Sequence, residues 1–202
     1  MAAWLAARNV SPNLISVLGM VAGLAAGALL AGTHLTENIL AQRVLWLCGA
    51  AGIQLRLIAN MLDGMVAVAS QKASALGELY NELPDRVSDL AIILGAGYAV
   101  GGVPVAGYVA ACAAVLTAYI RAVGKAAGVS NLFLGPMAKP HRMFVLTVAS
   151  LAASLLPATW QPHYWHQRMG IISFALLLII VGCILTILRR LKRIVLVLRG
   201  NS

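Results

Sequence analysis

The chain has 202 residues, of which 61% are hydrophobic and only 10% charged, and it carries a formal net charge of +9. Its mean hydropathy is +0.88, whereas ordinary soluble domains are about 25% charged, so a water-soluble enzyme is excluded. Apolar runs near the roughly 20 residues that a helix needs to cross a bilayer recur along the chain, and the alternating ten-residue segments of a membrane β-barrel are missing. The expected class is an all-α polytopic membrane protein, a single domain over residues 1–202 built as a six-transmembrane-helix bundle.

In chain order, "MAAWLAARNVSPN" lacks the basic start and cleavage site of a signal peptide. Residues 1–11 read as an interfacial segment with Trp4 at headgroup level. Spans are expected at 12–32, 43–63, 82–100, 103–124, 142–157 and 168–188, followed by a basic tail over 189–202. The small residues of "GMVAGLAAGALLAG" in the first span suit close helix packing. The outer loop "PATWQPHYWHQR" is an aromatic belt, and His163 and His166 within it lack a third metal ligand. Cys48, Cys112 and Cys183 sit singly in apolar runs, with no spacing for a disulfide or zinc.

With the N-terminus inside, one face gathers Arg8, Lys72, Arg121, Lys125, Lys139, Arg142, Arg189, Arg190, Lys192, Arg193 and Arg199. The other face receives Arg43 and Arg168. Basic loops mark the cytoplasmic side, so both termini are expected there. The positive charge then serves topology and anionic membrane lipid rather than nucleic acid.

The acids are distributed differently. Of six, Glu37 stands apart, while Asp63, Glu78, Glu82, Asp85 and Asp89 fall within 27 residues. Arg56, Asn60 and Asp63 occupy one helical face at i, i+4 and i+7, and Glu78, Asn81, Glu82, Asp85 and Asp89 form a stripe on the next segment. A short connection makes the two segments antiparallel neighbours, with Pro84 either interrupting the second helix or beginning its regular part. A carboxylate at bilayer depth costs roughly 2.5–3.5 kcal/mol, and clustering adds repulsion. Two offsets fit: ion pairs with Arg56, Arg86 and Arg121, or a divalent cation held by hard oxygens. Gly64 after Asp63 and Gly77 before Glu78 favour the second, because a residue without a side chain admits a bulky ligand to the backbone.

At these residues the sequence resembles the CDP-alcohol phosphatidyltransferase family, whose signature is D-x2-D-G-x2-A-R-x8-G-x3-D-x3-D. In "NMLDGMVAVASQKASALGELYNELPD", Asp63, Gly64, Ala67, Gly77 and Asp85 match in register; Asn60, Val68 and Asn81 depart. "SPNLIS" before the first span and the basic "GPMAKPHRM" after the fourth extend the likeness. The resemblance implies an enzyme of phospholipid biosynthesis in which a small alcohol attacks a CDP-linked lipid such as CDP-diacylglycerol, releasing CMP. It implies Mg2+ or Mn2+ at Asp63 and Asp85, with Asp85 also the general base and Gly64, Ala67 and Gly77 lining the nucleotide cleft with Asp63. Asn60 and Asn81 would bring oxygen without charge, which favours one metal over two, with Glu78, Glu82 or Asp89 as replacement ligands. Arg121, Lys139 and Arg142, and also Arg56 and Arg86, are candidates for phosphate or acceptor binding. The resemblance further implies a bacterial inner membrane location, an active site facing the cytoplasm and, as in many members, a homodimer.

Two other readings compete. The missing aspartates suit a catalytically impaired relative that binds CDP-lipid or a partner. Buried acids also suit an ion-coupled transporter, although they gather near one membrane face and no broken helix pair recurs.

Overall fold

The computed structural model describes residues 2–70, 75–129, 134–156 and 169–200. The side chains of 75–78, 80 and 81, and therefore those of Glu78 and Asn81, are not described; neither are the surroundings of Gly77, nor the outer loop with His163 and His166. The elements are helices: α1 (Ala2–Ala7), α2 (Pro12–Gly32) with a 3-10 turn at Thr33–Leu35, α3 (Ile39–Ala69), α4 (Ala75–Tyr98), α5 (Pro104–Ala126), α6 (Lys139–Leu155) and α7 (Ile171–Gly200).

Local chemistry sets their ends. Proline lies in the first turn of α2, α5 and α6, where its missing N–H has no helical partner to lose. Asn38 caps α3 by accepting from the Ala41 N–H at 3.1 Å. α5 ends in a Schellman motif: Gly128 takes φ 80°, while the Val129 and Gly128 N–H groups donate to the Gly124 and Lys125 carbonyls.

Successive long helices run antiparallel, so the starts of α2, α4 and α6 meet the ends of α3, α5 and α7. Contacts between Ser16 and Asp63, Arg56 and Asp85, and Lys139 and Asn60 define that end. At the opposite end the Val100 N–H donates to Thr33 Oγ1, Ser154 Oγ to the Arg43 carbonyl, and Ser173 Oγ to the Gly101 carbonyl. Between them Ile53, Ile92, Ile93, Leu146, Ile172, Leu176 and Ile179 form the buried core. α2 and α4 touch backbone to backbone there: a Cβ on Gly27 would overlap the Ala91 carbonyl, and one on Gly95 would overlap Gly27.

The protein is an integral membrane protein. α2 with its 3-10 extension, α3, α5 and α7 are each long and apolar enough to cross a bilayer. Leu14, Leu18, Val21, Leu178 and Val181 lie exposed on their outer faces, as a lipid-facing surface requires. α4 and α6 complete the bundle for reasons composition alone does not reward. α4 carries Glu82, Asp85, Arg86 and Asp89. α6 has 17 residues, roughly 25 Å at 1.5 Å per residue, against about 30 Å of hydrocarbon.

Several boundaries differ from the sequence expectation; α4, for one, begins at Ala75 rather than at residue 82. α3 does not stop at residue 63 but continues to Ala69, because nothing from Met65 to Ala69 breaks a helix; Asp63 is therefore an interior residue. α4 passes through Pro84 without a break, and Ser88 Oγ donates to the Pro84 carbonyl at 2.7 Å. α7 extends through the basic tail to Gly200.

Candidate active site

Asp63 is 4% exposed. Its Oδ2 accepts from Ser16 Oγ at 2.7 Å and its Oδ1 from the Gly64 N–H at 2.6 Å, so two neutral donors hold it. The charges of Asp85 and Lys139 lie close enough to act on it. Gly64 beside it is exposed, and a Cβ there would meet nothing within 4 Å. Packing therefore does not explain this glycine, in contrast to Gly27 and Gly95. Ala67 is half-buried one turn on, and Val68 points outward.

Asp85 is gripped from two helices. Arg56 Nη2, from α3, donates to its Oδ1 and to its backbone carbonyl, each at 3.1 Å. Lys139 Nζ, from the start of α6, donates to its Oδ2 and also to Asn60 Oδ1. One turn deeper, Asp89 is 3% exposed, and its Oδ2 accepts from Arg142 Nη2 at 3.0 Å. Arg56 Nη2 stands 2.7 Å from Asp89 Oδ1, a charge contact without hydrogen-bond alignment, since that oxygen has no hydrogen-bond partner. Arg56 Nε also donates to Ser88 Oγ at 3.1 Å. The other described acid of the stripe, Glu82, pairs with Arg86 one turn along α4 and with Arg121 of α5 at 2.6 Å. Ion pairs thus account for Glu82, Asp85 and Asp89, more of the cluster than the sequence suggested. Asp63 is the described acid of this group held without one.

A cavity of about 420 Å³ opens beside this network, lined by Asn60, Glu82, Asp85, Arg86, Thr117, Arg121, Lys139, Arg142 and Arg190 among others. Its wall joins α3, α4, α5, α6 and α7 at one end of the bundle. Asn60, Asp85, Arg86, Arg121, Lys139 and Arg142, all singled out in the sequence, meet there; Asp63, Gly64, Ala67, Arg56 and Asp89 lie off the wall. Lys139 precedes the segment expected to span the membrane. Burial, and after it the Arg56 guanidinium, hold its ammonium below the usual lysine range at about 8, so it is mostly charged at neutral pH.

Sequence reasoning missed Ser16, Ser88 and Arg190. Arg190 was grouped with the cationic tail, yet it is 4% exposed, with Nε donating to the Leu134 carbonyl and Nη1 to the Thr117 carbonyl. The available signal was helical spacing: Thr186, Arg190 and Ile194 are the buried positions of that stretch of α7.

A divalent cation is tested by the donor set. Among the described residues no three His, Cys, Asp or Glu side chains converge. Asn60 lies one turn before Asp63 on α3, and the charge of Asp85 acts on Asp63 from α4. Mg2+ is commonly bound by one or two carboxylates, with substrate phosphates and water completing its shell, so these residues suit one ion and are poor in charge for two.

The fold has counterparts among solved structures. The structure superposes on phosphatidylinositol phosphate synthase from Mycobacterium tuberculosis with manganese and citrate at a TM-score of 0.74 and 20% identity, covering 96% of this chain and 86% of that one. The same enzyme with CDP-DAG bound gives 0.73 and 20%, covering 96% and 90%. In sequence the chain is 25% identical over 175 residues to the inner membrane protein YnbA of Escherichia coli (strain K12), covering 87% of this chain and 82% of the relative. It is 28% identical over 149 residues to the archaetidylinositol phosphate synthase of Pyrococcus horikoshii, covering 73% and 72%. No protein-family model matches.

Proposed function

We propose that the protein transfers a phosphatidyl group from a CDP-linked lipid to a small alcohol and releases CMP. The observation that carries this is the cavity at one end of the bundle, where Asp85 faces a wall of Arg86, Arg121, Lys139, Arg142 and Arg190. Such a wall suits a substrate whose reacting part is a diphosphate, because phosphoryl transfer depends chiefly on positioning and on neutralising phosphate charge. The shared fold with a synthase solved with CDP-DAG supports the same reading.

In this reaction the acceptor hydroxyl oxygen bonds to the phosphorus of the phosphatidyl group. The bond from that phosphorus to the CMP oxygen breaks, and the electron pair leaves with CMP. Asp85 takes the hydroxyl proton, and Arg56, bonded to its other oxygen and its carbonyl, holds the carboxylate in place. Arg121 and Arg142 reach the cavity with guanidinium groups suited to phosphate oxygens, and Gly64 leaves the backbone beside Asp63 open to the nucleotide. Mg2+ or Mn2+, held on the Asp63 side with substrate oxygens and water completing its shell, would supply Lewis-acid neutralisation of the diphosphate. The basic residues crowding this end support a cytoplasmic orientation in a bacterial inner membrane.

The test is incubation of purified protein with CDP-diacylglycerol, Mg2+ or Mn2+ and a panel of alcohols and alcohol phosphates. CMP release is expected, falling about 10²- to 10⁴-fold in Asp85→Ala, the usual worth of a positioned base. Absence of CMP with every acceptor overturns the enzyme reading. Asn60 and Lys139 against Asp85 favour one second reading, a relative that binds CDP-lipid without turnover; thermal stabilisation by CDP-diacylglycerol with no CMP would establish it.

A further inference from the structure

Lys139 is the cation nearest the reacting end, and its partners come from two different helices. Its Nζ donates to Asn60 Oδ1 of α3 and to Asp85 Oδ2 of α4. Those are an amide and a carboxylate oxygen at two positions of the motif, and hard oxygens of this kind are what a divalent ion takes as ligands. The backbone that carries the ammonium is held and its side chain is mostly buried. Lys139 opens α6, with Pro140 behind it and Ala138 extended ahead of it, and its side chain is 15% exposed, as is that of Asp85. Asp85 Oδ1 is already engaged by Arg56, so Lys139 occupies its remaining oxygen; among the described residues Asp85 and Glu82 are the carboxylates on the cavity wall.

The charge count agrees with the geometry. Asparagine at 60 and 81 brings oxygen without charge, while Lys139 adds a positive charge and Arg56 a second one against the same carboxylate. A pair of divalent ions would meet too little negative charge here. A lone ion on the Asp63 side would not, since Asp63 has no ion pair of its own among the described residues.

We propose that Lys139 is a built-in cation of this site: its ammonium stands where Asn60 and Asp85 would otherwise share a divalent ion, and it restricts the site to one such ion. An ammonium carries three donors. Two serve Asn60 and Asp85, which leaves one for an anion entering the cavity that Lys139 lines, so the lysine would neutralise substrate charge as a second metal would. This deepens the proposed transferase reading and rests on it for the identity of the anion.

The test is a Mn2+ titration of the full-length protein in detergent without substrate, followed by the electron paramagnetic resonance of free Mn2+. Wild type takes up no more than one Mn2+ per chain. Lys139→Met binds Mn2+ at least about tenfold more tightly, because removing a positive charge beside the site relieves its repulsion of the ion; Lys139→Arg, which keeps the charge, stays near wild type. A purely structural lysine would leave Mn2+ affinity unchanged or lower it. Should Lys139→Met fail to fold, Lys139→Gln serves the same purpose with a polar side chain. Two Mn2+ per wild-type chain, or no gain in affinity in the neutral variants, overturns the proposal. Because no turnover is needed, a protein that releases no CMP still gives this result, and CMP release with an unchanged Mn2+ affinity sinks only the lysine's role.

Discussion

The two ends of the bundle are held together by different chemistry. At the end opposite the cavity, hydroxyls and backbone groups link the described residues: Thr33 Oγ1 donates to the Leu30 carbonyl at 2.6 Å and accepts from the Val100 N–H at 3.0 Å, and the Gly170 N–H donates to the Gly101 carbonyl at 2.8 Å. At the cavity end, Arg56, Lys139 and Arg142 close on Asp85 and Asp89. Both ends face the same packing problem, so helix assembly alone does not call for charge. Buried ion pairs give little net stability over apolar packing of equal shape. Their presence at one end is therefore best explained by what the cavity must handle.

The largest effect expected from this contrast is at Arg56, 1% exposed and in contact with Asp85, Ser88 and Asp89. Arg56→Met leaves two carboxylates short of their shared partner inside the bundle, and breaking a buried pair in this way costs about 3–5 kcal/mol. Thermal unfolding in detergent should show a large drop. A melting point equal to wild type would mean that the charged end is as dispensable as an exposed salt bridge, and the contrast would fail.

A smaller effect is expected at the neutral end. Thr33→Val keeps shape but removes the acceptor of the Val100 N–H, and a buried polar group left without its partner costs about 1–3 kcal/mol. The same unfolding measurement checks it, and CMP release per folded protein should be unchanged. Loss of activity beyond the loss of folded protein would couple the two ends and break their separation.

Much of this contrast was legible in the sequence, and the reasons are specific. The helical spacing of Arg56, Asn60 and Asp63 and of Glu82, Asp85 and Asp89 marked two polar stripes, because helix geometry converts spacing into a shared face. Arg56 reaches across to Asp85 and Asp89, but α2 packs against both α3 and α4, and Asp63 turns to Ser16 of α2 instead. What spacing does not reveal is pairing between distant segments. Ser16 meets Asp63 across 47 residues and Arg142 meets Asp89 across 53, and nothing local says which residue each will meet. Arg190 hid among Arg189, Lys192 and Arg193, since charge counts do not say which basic residue turns inward. Pro84 suggested a break that α4 does not make, and Ser88, whose hydroxyl meets the Pro84 carbonyl, carries no signal of its own.

Gly64→Ala should have the smallest effect on stability and the sharpest meaning. The added Cβ meets nothing within 4 Å, and alanine is favoured over glycine inside a helix by roughly 0.5–1 kcal/mol. The variant should therefore melt at or slightly above the wild-type temperature. Gly27→Ala, whose Cβ would overlap the Ala91 carbonyl, should melt lower, as overpacking typically costs about 1–3 kcal/mol. If Gly64 is kept open for a nucleotide, Gly64→Ala should also bind CDP-diacylglycerol more weakly and release CMP more slowly despite its intact fold. A Gly64→Ala variant with unchanged CDP-lipid affinity would mean that the open backbone beside Asp63 admits no ligand, and the charged end would then need another explanation than the diphosphate.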